Sequence, residues 1–147
     1  MPRIKLAIPV KWTYCTELPV RISDVNYGGH VGNDTLLAYL QEARVRWLRS
    51  LGYPSELLAE PVGLILVDLA VRLKAEAIYG DSLEVRLSVS EWGRTGFELV
   101  YQIVKTVDGS EIARATTGFA FFDYARRKLC EAPTGFRGKA HSPEINP

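Results

Sequence analysis

The sequence predicts an α+β fold in which one antiparallel β-sheet packs on a single long helix. Five segments place apolar side chains on alternate residues, as half-buried strands do. One segment, after the first of these, spaces them three or four residues apart, as an amphipathic helix does. Short turns link the later segments, and this favours an antiparallel sheet with the helix on one face.

The first strand is predicted between Lys11 and Ile22. Its alternating apolar residues are Trp12, Tyr14, Leu18, Val20 and Ile22. The next stretch, from Ser23 to His30, concentrates glycine and short polar side chains, which break regular structure and favour turns. We therefore expect a loop between the first strand and the helix.

The long helix is predicted from Asn33 to Leu51. Its apolar stripe consists of Leu36, Leu40, Ala43, Trp47 and Leu51, widened by Leu37 and Leu48. Asn33 or Asp34 is expected to cap the start of the helix, and Gly52 to end it. The stretch from Pro54 to Glu60 is expected to add a short helical turn.

Four more strands are predicted in the remainder of the chain. Their alternating residues run from Ile65 to Ala75, Leu83 to Val89, Phe97 to Ile103 and Glu111 to Asp123. We expect a single domain over residues 1–140. The tail 141–147, with the proline-containing stretch from Cys130 that leads into it, is expected to lie on the surface or fray.

Composition and charge argue against several functional classes. A chain of 147 residues with 47% hydrophobic and 24% charged residues has the balance of a soluble globular protein. Its formal net charge of +1, without a basic stripe, gives no case for nucleic-acid binding. No apolar run approaches the ~20 residues that cross a bilayer, and the first residues lack a secretory signal pattern. We expect a cytoplasmic protein that binds neither nucleic acid nor membranes.

The two cysteines, Cys15 and Cys130, are far apart and have no Cys or His neighbours at metal-ligand spacing. A disulfide framework or a metal site is therefore not expected. Packed, reduced thiols are the favoured interpretation.

Five short motifs stand out between Val10 and Pro133. They are DVNYGGHVGN from Asp24, YLQEAR from Tyr39, AIYGDSL from Ala77, GRT from Gly93 and GFAFFD from Gly118. In their order and spacing they resemble the 4-hydroxybenzoyl-CoA thioesterase-like family. The resemblance implies a hotdog fold, in which a curved antiparallel sheet wraps around a long central helix.

The resemblance also implies hydrolysis of an acyl-CoA to free acid and coenzyme A. It implies a homodimer or homotetramer, with coenzyme A lying at a subunit interface. Coenzyme A is then part of the substrate, and no separate cofactor is expected. Two alternatives stay open: a hotdog hydratase or dehydratase acting on acyl thioesters, and a non-catalytic acyl-CoA-binding protein.

One position departs from the family pattern. Family members commonly carry a catalytic Asp four residues before the position of His30, where this chain has Asn26. Asp24 lies two residues earlier, and some related acyl-thioesterases use an Asp, an Asn and a His from this region. The resemblance makes Asp24, Asn26 and His30 a candidate catalytic set with Asp24 as base. The alternatives are a turn or cap role for Asp24 and a structural role for His30.

Thioester hydrolysis also needs donors where the oxyanion develops. The backbone N–H groups near Gly32 and Asn33, at the helix N-terminus, are predicted to fill that role. Asn26 has no usable basicity but can orient a water or bind the carbonyl, unless it is a turn residue. Glu42 is a reserve carboxylate, whose alternative role is an ion pair with Arg46 one helical turn on.

The phosphates of coenzyme A require cations. Arg94, Arg126, Arg127 and Lys128 are the local concentrations available, and we predict that they bind these phosphates. The alternative is a solvated charge run after the last strand.

Overall fold

A computed structural model describes residues 3–141 of the protein. The strands are β1 (Tyr14–Pro19), β2 (Val62–Leu73), β3 (Ser82–Trp92), β4 (Gly96–Lys105), β5 (Glu111–Asp123) and β6 (Lys128–Leu129). The helices are α1 (Asn33–Ser50) and α2 (Phe136–Ala140), and a 3₁₀ turn covers Ile22–Asp24. No helix in the described range is both long and apolar enough to cross a membrane.

The strands form one antiparallel sheet in the order β1-β3-β4-β5-β2, with β6 paired to the end of β5. Register shifts interrupt the β2–β5, β3–β4 and β4–β5 pairings, and such irregularities bend a sheet. The inner face packs on α1 around one core cluster. The predicted α+β class and the hotdog arrangement are confirmed.

Helix α1 presents the predicted stripe to this core. Leu36, Leu40, Ala43, Trp47 and Leu48 are all at most 4% exposed. Leu37 is 39% exposed and lies at the margin of the stripe instead of widening it. Gly32, not Asn33 or Asp34, occupies the N-cap position, so the expected side-chain cap is absent from this helix start. Gly52 follows the helix with a φ of +97°, a conformation that favours glycine.

Several element bounds differ from the prediction, most clearly those of β2, which runs Val62–Leu73, and of β3, which runs Ser82–Trp92. Strand β1 covers only Tyr14–Pro19, the residues in ladder register with β3, and Ile22 lies in the 3₁₀ turn. The segment from Pro54 to Glu60 forms bends instead of a helical turn.

The expectation of a surface tail from Cys130 is wrong for α2. Phe136 is 0% and Ala140 2% exposed. The Phe136 ring lies edge-on to Trp47, with centroids 6.3 Å apart, and 5.6 Å from Phe97. A short helix without clear periodicity thus closes the core at the C-terminal end of α1. Residues 142–147 lie outside the described residues.

The two edges of the sheet differ. On the β2 edge, Leu66, Val67, Leu69 and Leu73 are 43–59% exposed, although the alternation through Val67, Leu69 and Leu73 predicted a half-buried strand. On the β1 edge, the guanidinium of Arg46 donates to Thr16 Oγ1 at 2.8 Å and to the Glu17 carbonyl at 3.0 Å. One edge is therefore long, apolar and open, and the other is short and covered by a helix side chain.

Candidate active site

The loop before α1 is held against the segment that follows β2. The Val31 N–H donates to the Ala77 carbonyl at 2.9 Å, and His30 forms a β-bridge with Ile78. Within the loop, the Asn26 N–H donates to the His30 carbonyl at 2.9 Å. These bonds fix the imidazole of His30 at the start of α1 and opposite residues 74–77.

A cavity of about 330 Å³ opens between these two segments. Its lining comprises His30, Val31, Gly32, Asn33, Leu36, Leu73, Lys74, Ala75, Glu76, Ala77 and Ile112. Three of the predicted site residues, His30, Gly32 and Asn33, therefore meet at one cavity. Its wall combines the helix N-terminus, ionisable side chains and apolar surface.

His30 has a carboxylate neighbour that the sequence analysis did not identify. Nε2 of His30 lies 3.7 Å from Oε1 of Glu76, and the side chains are 37% and 72% exposed. Glu76 follows β2 in a segment without periodicity, so nothing local distinguishes it from a solvated surface charge. Its nearness to His30 depends on the pairing of two segments distant in the chain.

The side chain of Asn26 stabilises the turn within the loop. Its side-chain oxygen accepts a hydrogen bond from the Gly28 N–H at 2.9 Å. A Cβ at Gly28 would lie 3.2 Å from that oxygen and 3.3 Å from Nε2 of His30, so both side chains flank Gly28. The amide of Asn26 and the imidazole of His30 are therefore close together.

The start of α1 supplies donors at the cavity. The first N–H groups of a helix have no partner within the helix, and its dipole favours negative charge there. The Gly32 N–H faces the Asp24 carbonyl at a long 3.5 Å. The Asn33 N–H is the next donor along the chain, and both residues line the cavity.

Asp24 lies elsewhere, in a buried hydrogen-bond cluster. Its carboxylate is 6% exposed and accepts from the Arg21 N–H at 2.9 Å and from the Tyr39 hydroxyl at 2.8 Å. Burial raises the pKa of this carboxyl, but the hydrogen bonds from Arg21 and Tyr39 outweigh that effect and hold it below its ordinary value. The arrangement stabilises the ionised carboxylate and connects the loop to α1.

Glu42 joins Asp24 at a separate pocket of about 310 Å³. Oε2 of Glu42 is 2.8 Å from Nε of Arg46, which confirms the predicted ion pair. The predicted set of site residues thus divides in two. His30, Gly32 and Asn33 line one cavity with Asn26 beside it, and Asp24 and Glu42 line another.

The predicted phosphate-binding cations also fall in two places. Arg94 lines a cavity of about 590 Å³ with Trp92 and Arg137, near the C-terminal end of α1. Arg126, Arg127 and Lys128 follow β5, where Arg126 lies 3.9 Å from Asp123 and the Arg127 guanidinium lies over the Phe122 ring. An 18-residue helix is about 27 Å long, so Arg94 and His30 lie toward opposite ends of the subunit.

The chain is similar in sequence to a known protein family and to a known protein. A family model described as the thioesterase-like superfamily matches residues 20–140. A Synechocystis protein named as a candidate esterase is 29% identical over 126 residues, covering 84% of this chain and 74% of that protein.

Two solved structures share the fold. A 1,4-dihydroxy-2-naphthoyl-CoA thioesterase from Synechocystis is 24% identical, with a TM-score of 0.78 over 88% of this chain and 96% of its own. A Staphylococcus aureus protein in complex with CoA is 15% identical, with a TM-score of 0.80 over 91% of this chain and 85% of its own. At these identities the likeness concerns the fold.

Proposed function

Because this chain belongs to the thioesterase-like superfamily, we propose that it hydrolyses an acyl-CoA thioester at the cavity beside the N-terminus of α1. The observation that carries the proposal is the pair formed by His30 and Glu76 at a cavity that Asn33, at the start of α1, also lines. A base, a carboxylate that orients it and an oxyanion donor are the groups that acyl transfer to water requires.

In the proposed reaction, His30 removes a proton from a water molecule. The water oxygen forms a bond to the thioester carbonyl carbon, and the Asn33 N–H stabilises the oxyanion. When the C–S bond breaks, His30 returns the proton to the thiolate, which gives the free acid and coenzyme A. Glu76, whose Oε1 lies 3.7 Å from Nε2 of His30, stabilises the transient imidazolium.

This assignment moves the base away from Asp24. Both oxygens of that carboxylate already accept hydrogen bonds from Arg21 or Tyr39. A carboxylate whose pKa is held low by such bonds is a poor proton acceptor. Asn26 keeps a supporting role in the proposal, as the amide beside His30 that orients the water.

We further propose a homodimer formed through β2. Its exposed apolar residues and unpaired edge favour pairing with a second copy, whereas Arg46 obstructs the β1 edge. A two-fold partner also offers a way to bring the Arg94 cavity of one subunit toward the His30 cavity of the other. Both cysteines are free thiols, which fits the predicted cytoplasmic location.

Thiol release from a panel of short, long and aromatic acyl-CoAs tests the activity. His30→Gln should lower kcat by ~100-fold or more, the size expected for loss of a general base. Glu76→Gln should lower kcat less, because the imidazolium loses its carboxylate neighbour. The exposed Glu91→Gln serves as a control for carboxylate loss.

Three outcomes would contradict the proposal. Wild-type rates in folded His30→Gln and Glu76→Gln would show that this cavity is not the catalytic centre. Water addition to an enoyl-CoA without thiol release would indicate the hydratase alternative. Binding of acyl-CoA without either reaction would indicate a non-catalytic binder.

A further inference from the structure

A buried arginine on α1 lies about three helical turns beyond the helix start, where the proposed active site is. Arg44 is 6% exposed, and its guanidinium lies 4.8 Å above the Phe119 ring. Its Nε donates to Glu56 at 2.8 Å, and one terminal nitrogen donates to the Tyr101 hydroxyl at 3.1 Å. A buried charge of this kind is expensive unless all its donors are used.

The acceptors around Arg44 are already occupied. The second carboxylate oxygen of Glu56 accepts from the Gln41 amide at 3.1 Å, and the Tyr101 hydroxyl pairs with Thr117 at 2.7 Å. A guanidinium has five N–H donors, of which these contacts use two. Within residues 3–141 the second terminal nitrogen of Arg44 has no hydrogen-bond partner. Protein atoms do not enclose this nitrogen completely.

Arg44 lines a groove of about 440 Å³. Its apolar lining consists of Leu37, Ala38, Leu40, Leu64, Leu66 and Leu69. Its polar lining consists of Asp34, Gln41, Arg44, Glu56 and Thr117. The groove is therefore largely apolar, with Arg44 and Glu56 among its polar lining residues. Its Leu66 and Leu69 also lie on the β2 edge of the proposed dimer, so a second copy would border the groove.

The groove adjoins the cavity of His30. Asn33 and Leu36 line the cavity, and the adjacent residues Asp34 and Leu37 line the groove. Arg44 lies 11 residues beyond Asn33, which is about 16 Å along the helix axis. A chain attached to a carbonyl at the helix N-terminus would run along α1 toward Arg44.

We infer that this groove receives the acyl part of the thioester and that Arg44 donates a hydrogen bond to a neutral oxygen, hydroxyl or carbonyl, on that acyl group away from its thioester. The inference rests on the proposed function and adds the substrate class. An acyl chain without an oxygen would displace water from the unpaired N–H donors of Arg44 and would offer them no hydrogen-bond acceptor. A carboxylate would meet a net negative lining, since Glu56 and Asp34 outnumber Arg44.

Binding of non-hydrolysable thioether analogues tests the inference independently of catalysis. The probes are decyl-CoA, its ω-hydroxy counterpart and its ω-carboxy counterpart, measured by calorimetry. The wild type should bind the ω-hydroxy analogue at least ~10-fold more tightly than the other two, the discrimination expected when a site contains an otherwise unpaired donor. Equal binding of the alkyl and ω-hydroxy analogues would overturn the inference.

Variants test whether Arg44 is responsible for the preference for the ω-hydroxy analogue. In Arg44→Met/Glu56→Gln, which leaves no unpaired charge, the preference should fall to about one, while Arg49→Met, an exposed arginine on the same helix, should retain it. A preference that survives in the double variant would exclude Arg44. If the double variant does not fold, Leu37→Trp blocks the groove from its exposed rim. This variant should weaken the binding of decyl-CoA and of its ω-hydroxy counterpart ~10-fold and leave the binding of an acetyl thioether analogue unchanged. Unchanged binding of the two decyl compounds would also overturn the inference.

The two proposals fail separately. A clear ω-hydroxy preference without hydrolysis of any acyl-CoA would contradict the proposed reaction and leave the groove assignment in place. Hydrolysis of acyl-CoA by a protein that shows no preference for the ω-hydroxy analogue would support the proposed reaction and contradict the groove assignment.

Discussion

The hydroxyl of Tyr39 donates a 2.8 Å hydrogen bond to the carboxylate of Asp24, and both side chains are buried. The bond connects the loop that carries His30 to the second turn of α1. Tyr39→Phe should lower the free energy of unfolding by about 1.5–3 kcal/mol, the range for a hydrogen bond to a charged group. Urea unfolding measures the change, and an unchanged midpoint would show that the bond does not hold the loop.

Leu40 and Leu37 provide a matched pair on one helix. Leu40 is 1% exposed and Leu37 is 39% exposed. Leu40→Ala should cost about 2–5 kcal/mol of stability, because it removes buried methyl groups and leaves a cavity. Leu37→Ala should cost much less, since its side chain is already partly in water. Equal denaturation midpoints for the two variants would mean that the core face of α1 is assigned incorrectly.

Much of this fold could be predicted from the sequence because its elements face a single core. The stripe through Leu40 and Trp47 and the strand Ser82–Trp92 have the periods of their structures. Alternation in β2 predicted the strand but not its exposure, since Val67, Leu69 and Leu73 of the alternating set are 43–59% exposed. Exposure depends on position within the sheet, and β2 lies at an edge.

The site could be predicted only in part, for a related reason. Gly32, Asn33 and His30 are neighbours in the chain, so a loop entering a helix brings them together. Glu76 and Arg44 become relevant only through their tertiary partners, His30 and Glu56. The helical spacing of Arg44 from Leu40 and Trp47 was the available signal, since it places a charge on the apolar face. Phe136 was missed because five residues are too few to show a period.

Glu111 makes stability depend on acid pH. Its carboxylate accepts hydrogen bonds from Arg114, Lys74 and Gln102, and although burial raises its pKa, these bonds lower it from the ordinary 4.5 to about 2. Unfolding therefore takes up a proton in this range, so the contribution of Glu111 is complete above pH 4.5 and is lost as pH falls toward 2.

Glu111→Gln should consequently destabilise the protein near neutral pH and make progressively less difference as the pH falls below 4.5. Urea unfolding of wild type and variant at several pH values gives the comparison. The exposed Glu91→Gln should follow the wild type throughout. A deficit in Glu111→Gln that stayed constant with pH would argue against a depressed pKa.

The open β2 edge predicts a dimer that a single charge disrupts. Val67 is 59% exposed on that edge, and lysine on an edge strand opposes pairing with another strand. Light scattering at micromolar concentration should find a dimer or tetramer for the wild type and smaller species for Val67→Lys. Val107→Lys, in the turn after β4 where the native side chain is 86% exposed, should assemble like the wild type. A monomeric wild type would remove the shared-interface proposal.

The inequality of the two edges also limits how far such an assembly grows. When two copies join through identical β2 edges, each has used its accessible strand, and the β1 edges left at the outside carry the Arg46 side chain against Glu17. Head-to-tail addition, which produces fibres when it does not close into a ring, would need a β1 edge to accept a β2 edge. In the proposed dimer, the guanidinium of Arg46 therefore obstructs the outer β1 edges. The apolar β2 strand pairs once, and no further copy can add to the sheet.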